Sequence, residues 1–174
     1  CRLWPAENPR HRRQPGKETT RMKLEPGMQL PTFRRIDDAG VERTSADFTG
    51  KGLVVYFYPK AFTPGCTGES CDFRDNYDRF LDSGYQIIGV SPDPVDLLAR
   101  FRVEHQLPFS LLSDEDQSMA DAFGAWGIKK NYGKEYEGLI RSTFVADATG
   151  TIEHAWYNVR AKAHVGRVAG AIFG

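Results

Sequence analysis

The 174-residue sequence has no run approaching about 18 consecutive apolar residues, which excludes a transmembrane helix. It has no excess of charge: 23 Lys+Arg balance 23 Asp+Glu. That zero is unevenly spread. Residues 1–23 carry Arg2, Arg10, Arg12, Arg13, Lys17, Arg21 and Lys23 against Glu7 and Glu18, and residues 24–174 carry the compensating acidic excess. A main body of that sign lacks the basic face that a nucleic-acid backbone demands. Cysteine is scarce as well. Three are too few for a secreted disulfide scaffold, and none form the Cys-x-x-Cys of a thiol–disulfide oxidoreductase. No internal repeat or low-complexity tract is present.

The first 22 residues lack an apolar segment and do not begin with Met, so a secretory signal is not expected. They also lack serine, which an Arg-rich organelle transit peptide would carry. With Pro5, Pro9, Pro15, five Arg and no apolar periodicity, residues 1–22 read as an extraneous or disordered tail, from cloning or an over-extended reading frame. Folding is expected to begin after Met22, giving one domain over 23–174, and Cys1 is set aside from the chemistry. The expected location is the cytoplasm, with an organelle as the alternative raised by the basic tail. What remains is globular in composition, 40% hydrophobic and 26% charged. A domain of about 150 residues buries roughly 68–70% of its unfolded surface, so it needs no disulfide or metal to stand.

From Leu30 the chain alternates compact apolar runs with amphipathic stretches. Thr32–Asp37 and Val41–Thr44 predict a β-hairpin around Asp38-Ala39-Gly40. Leu53–Tyr58 is a continuous apolar run, the pattern of a buried central strand. After Pro64, the apolar residues Phe73, Tyr77, Phe80 and Leu81 predict one helical face, stopped by Gly84. Tyr85–Val90 predicts a strand. Pro94–Glu104 predicts a helix with Val95, Leu98 and Phe101 inward. Phe109–Leu112 is strand-like, and Gln117–Phe123 a short helix ended by Gly124. Ser142–Asp147 and Thr151–Tyr157 predict a second hairpin, and Ala161–Phe173 a last helix weakened by Gly166 and Gly170. Strands alternating with helices and closing on an antiparallel pair imply a mixed α/β sheet with helices on both faces.

The chemistry concentrates in Tyr58–Cys71. This segment leaves the buried strand at its C-terminal end, where open α/β sheets place their sites. Thr63 is positioned as an N-cap and Pro64 as the first helical residue. Cys66 then falls in the first turn, where free backbone N–H groups and the positive end of the helix dipole favour an anionic sulfur. The thiolate is the reactive form, and a free thiol near pKa ~8.5 is mostly protonated at neutral pH. Cys71 lies five residues on. An ideal helix separates the two Cα atoms by roughly 8–9 Å, whereas a disulfide wants less than about 7 Å. The pair can therefore bond only if this turn unwinds.

The residues Phe57-Tyr58-Pro59, Thr63-Pro64-Gly65-Cys66-Thr67, Glu69 and Cys71-Asp72-Phe73-Arg74-Asp75 resemble the active-site region of peroxiredoxins, of the bacterioferritin-comigratory-protein (PrxQ) subfamily. Gly138, Arg141-Ser142-Thr143-Phe144-Val145-Ala146-Asp147 and Gly150 resemble that family's Arg-bearing strand. The resemblance spans about residues 23–172. It implies a thioredoxin-like fold and a thiol peroxidase acting on hydrogen peroxide and alkyl hydroperoxides, without metal or other cofactor. It further implies that Cys66 is the peroxidatic cysteine and Cys71 the resolving one, forming an intramolecular disulfide. A thioredoxin-like dithiol protein would restore the thiols. Thr63 would hydrogen-bond the peroxide, Pro59 would shield the pocket from water, and Arg141 would favour the thiolate and orient the peroxide. The chain is expected to act as a monomer, with no membrane or nucleic-acid partner.

Plainer readings stand beside these. The two cysteines fit a structural disulfide or inert buried thiols. They also fit a non-enzymatic redox or copper-carrier module on the same fold, which would need a further His or acid nearby. A cysteine–histidine hydrolase needs a base, and His11, His105, His154 and His164 carry no recognisable partner motif. Glu69 reads most simply as a first-turn carboxylate favoured by the helix dipole, with a positioning role in the site as the alternative. Asp114-Glu115-Asp116 reads as a solvated helix start, Trp126 and Trp156 as packing residues, and Lys129-Lys130 as a solvated pair.

Overall fold

The structure, a computed structural model, describes residues 23–48, 50–131, 133–160 and 164–173. The predicted tail and the first three residues of the predicted last helix lie outside the described residues, as do the side chains of Lys129 and Lys130. Among the described residues no helix is long and apolar enough to cross a membrane.

The central run folds as expected. β3 (Gly52–Phe57) is buried at every position. It pairs in parallel with β4 (Tyr85–Ser91), and β4 in parallel with β5 (Ser110–Ser113). On its other side β3 pairs antiparallel with β8 (Ser142–Ala146), which pairs with β9 (Ile152–Trp156). The N-terminal hairpin, β1 (Arg34–Asp37) and β2 (Glu42–Thr44), joins the far edge through β5. The sheet order is β2-β1-β5-β4-β3-β8-β9.

Alternation along β3 divides the core into two layers, because successive side chains point to opposite faces. Val54, Tyr56 and Tyr58 meet α1 (Pro64–Asp82), α2 (Val95–Glu104) and α4 (His164–Phe173) through Phe73, Phe80, Leu98, Phe101, Val165 and Val168. Leu53, Val55 and Phe57 meet α3 (Ser118–Ala122), the flanking segments and β8 through Met119, Phe33, Phe48, Phe123 and Phe144. Helices therefore cover both faces, as the alternating pattern predicted. Gly89 on β4 is required by close approach: a Cβ there would lie 2.8 Å from the Tyr56 ring and 2.9 Å from Leu111.

Two expectations are corrected and one element is added. Leu81 does not share the buried face of α1 and is 42% exposed. At 100° per residue it lies about 80° around the helix from Phe73, at the stripe's edge. Asp114 is not solvated. It is buried, and its carboxylate accepts from the Met119 and Ala120 amides while pairing with Arg35, so it caps α3 from outside. A further hairpin, β6 (Trp126–Asn131) and β7 (Lys134–Leu139), forms a separate two-stranded sheet that the sequence pattern did not indicate. Trp126 and Trp156 pack partly buried against the core, as expected.

Candidate active site

The chain leaves β3 through Tyr58-Pro59-Lys60-Ala61-Phe62 and enters α1. Asp93, two residues past β4, ties this loop down: its Oδ2 accepts from the Ala61 amide at 2.7 Å and from the Ser91 hydroxyl at 2.9 Å. Phe62 adopts φ +66°, a left-handed conformation uncommon for an aromatic residue. The resulting course places Thr63 at the N-cap and Pro64 at the first position of α1, as expected. The Thr63 hydroxyl does not cap the helix. It donates to the Lys60 carbonyl at 2.8 Å, which leaves its lone pairs as acceptors. The first helical bond runs from the Thr67 amide to the Thr63 carbonyl, so the Gly65 and Cys66 amides have no intrahelical partner.

Cys66 is fully buried in that first turn. Arg141 approaches from the other side of the sheet pairing. The β3–β8 register, with Phe57 opposite Ser142, sets the residue before β8 beside Tyr58, on the face that carries α1. Arg141 Nη2 donates to Cys66 Sγ at 3.2 Å and Nη1 to Glu69 Oε1 at 2.6 Å. The Val159 amide on the Arg141 carbonyl, at 3.0 Å, holds the strand end in place. The structure thus brings Cys66, Thr63, Pro59 and Arg141 to one end of the central strands. Cys66 and Cys71 are both free thiols, with α1 continuous between them.

Glu69 departs from its sequence reading. It lies beyond the first turn of α1 and is fully buried, with Oε2 unpartnered. Burial pushes its carboxyl up to about 7, against the pull of Arg141. Arg141, although burial opposes its charge, is held more firmly protonated by the Glu69 carboxyl and the Cys66 sulfur that it faces. His164, also unpredicted, is buried with Nε2 2.7 Å from Thr143 Oγ1. Burial, aided by Arg167 and Arg141, pushes it down to about 4, so it stays neutral at physiological pH. His105, which carried no partner motif, stands with Nδ1 4.0 Å from Cys71 Sγ. No local sequence signal reports these contacts, because the partners lie 21 to 72 residues away. Among the described residues no three His, Cys, Asp or Glu side chains group as a metal site would require.

A buried sulfur in the first turn of a helix, with a guanidinium donating to it and first-turn amides that lack intrahelical partners, can act as a nucleophile while those donors receive the charge of a departing oxygen. On a mixed sheet with this order, that defines the class as a thiol peroxidase of thioredoxin-like fold. The chain belongs to the AhpC/TSA family, whose match covers residues 26–155. It is 45% identical over 144 residues to Peroxiredoxin Bcp of Bacillus subtilis, covering 83% of this chain and 92% of that protein. It is 42% identical over 141 residues to Peroxiredoxin Bcp of Escherichia coli, covering 81% and 90%. The fold superposes on a mutant of peroxiredoxin Q from Xanthomonas campestris with TM-score 0.80 at 34% identity, covering 86% of this chain and 98% of that one. The PrxQ mutant from Xylella fastidiosa gives TM-score 0.81 at 29% identity, covering 87% and 97%.

Proposed function

We propose that Cys66 is the peroxidatic cysteine of this thiol peroxidase and Cys71 its resolving partner. The observation that carries the assignment is the Arg141 guanidinium 3.2 Å from a buried sulfur in the first turn of α1. The thiolate attacks one peroxide oxygen and the O–O bond breaks. Cys66 becomes a sulfenic acid, and the departing oxygen takes a proton to leave as water or alcohol. Arg141 and the unpaired Gly65 and Cys66 amides stabilise the charge that develops on that oxygen. Thr63 accepts from the incoming peroxide hydroxyl, and half-buried Pro59 limits water at the rim.

Resolution follows when the turn holding Cys66 and Cys71 unwinds and the two sulfurs join with loss of water. A thioredoxin-like dithiol protein then reduces the disulfide by exchange. The chain works as a monomer in the cytoplasm, on hydrogen peroxide and small alkyl hydroperoxides. Peroxide turnover coupled to thioredoxin and its reductase tests the reading. The parent turns over continuously, Cys66→Ser does not react, and Cys71→Ser consumes about one equivalent and stops. Substantial activity in Cys66→Ser overturns the assignment.

A further inference from the structure

We infer that His105 is the base of the resolving step, taking the proton from the Cys71 thiol. This rests on the reading of Cys71 as the resolving cysteine. His105 closes the C-terminal end of α2, with its imidazole Nδ1 4.0 Å from Cys71 Sγ. The ring is clamped edge-on against Phe101 at 5.1 Å, and Phe62, held in its left-handed conformation, lies against it at 6.0 Å. The His105 carbonyl accepts from Arg74 Nη1 at 2.7 Å, which ties the end of α2 to the helix that carries Cys71.

The charged groups around the imidazole fit the role. Nε2 faces Glu104 Oε2 at 3.8 Å on its own helix. A hydrogen on Nε2 leaves the Nδ1 lone pair for the thiol proton. From α1 come Cys71 itself and Arg74, whose Nε is held by Asp75 at 3.0 Å. The Arg74 cation is close enough to Cys71 for a charge on that sulfur to strengthen its own protonation.

The step balances without an outside reagent. Nδ1 takes the proton from Cys71 Sγ, and the sulfur lone pair attacks the sulfenic sulfur of Cys66. The S–O bond breaks, and the departing hydroxide takes a proton from the imidazolium to leave as water. Cys71 is thus ionised while α1 is still wound, and it carries its charge into the opened turn.

The test mixes reduced protein with one equivalent of hydrogen peroxide. Disulfide formation is followed by acid quenching and mass, from about pH 6 to about pH 9.5. The parent, His105→Gln and His105→Ala are compared. At pH 7 both variants should form the disulfide about tenfold more slowly. The ceiling is about thirtyfold, since an unaided thiol near pKa ~8.5 is about 3% ionised there. The curves should converge above about pH 9, and added imidazole should restore part of the rate in His105→Ala. Equal rates for parent and variants overturn the proposal, as does a loss that persists undiminished at high pH. So does a parent profile that follows lone thiol ionisation, a measurement that needs no variant. Cys71→Ser, run alongside, separates the two readings. Continuous thioredoxin-coupled turnover in it overturns the resolving role of Cys71, whereas a blocked Cys71→Ser with unaffected His105 variants overturns the base alone.

Discussion

Glu69→Gln isolates what the buried carboxylate does to the site. In the unfolded chain a glutamate ionises near 4.5, while in the fold burial pushes Glu69 up to about 7. The folded state therefore holds a proton that the unfolded state has lost, and stability falls as pH rises between those values. Below about 4.5 the group is neutral in both states. Above about 7 the full penalty is present: the gap between about 4.5 and about 7, at about 1.4 kcal/mol per tenfold change in proton affinity, comes to roughly 3–4 kcal/mol. Glutamine keeps the shape and an oxygen for Arg141 but cannot ionise. Any fixed offset from its amide is the same at every pH, so the signal is the change with pH. Urea unfolding of the protein with and without Glu69→Gln, both carrying Cys66→Ser to silence the sulfur, reads that difference. Between pH 5 and pH 8 the stability gap should move by about 2 to 3 kcal/mol in favour of the glutamine variant. Curves that stay parallel over that range refute the reasoning.

Replacing Arg141 by Lys should slow the first peroxide attack about tenfold to a hundredfold, the worth of a charge-assisted hydrogen bond of about 1.5–3 kcal/mol. Stopped-flow mixing measures it, and an unchanged rate removes Arg141 from the reaction. Oxidation should accelerate amide hydrogen exchange over residues 66–72, because the disulfide cannot span an intact turn. A disulfide form with α1 wound as in the reduced protein would contradict this. Two glycines should respond oppositely to alanine. Gly166→Ala, with open space at its Cβ, should gain about 0.5–1 kcal/mol in a urea melt. Gly89→Ala, with Tyr56 at 2.8 Å, should lose about 1–3 kcal/mol.

The frame of this protein is legible locally because it rests on local signals. The apolar run at Leu53–Tyr58, the Thr63-Pro64 helix start and the Gly84 stop each act over a few residues and appear where they were read. The β6–β7 hairpin escaped because its strands are largely polar and Ile128 is 64% exposed, so no face announces burial. Glu69 and Asp114 were misread for a different reason. A carboxylate's burial is decided by an arginine elsewhere in the chain, Arg141 for one and Arg35 for the other. The same holds for His105, whose meeting with Cys71 depends on how α2 lies across α1.

The guanidinium that faces Cys66 reaches it only through strand register. Arg141 is one residue beyond the paired stretch of β8, and its side follows from Phe57 standing opposite Ser142. A slip of one residue would turn every β8 side chain to the opposite layer and point Arg141 away from the sulfur. β8 is shielded from the sheet margin only by β9, whose pairing with it already shifts between Val145 and Ala146. Peroxide turnover is therefore a gauge of how well this margin is sewn together. Under mild denaturant, peroxide turnover should fade while the bulk of the helical signal persists, if the Arg141–Cys66 contact serves the reaction as proposed, because that contact depends on the sheet's last two rows of stitching.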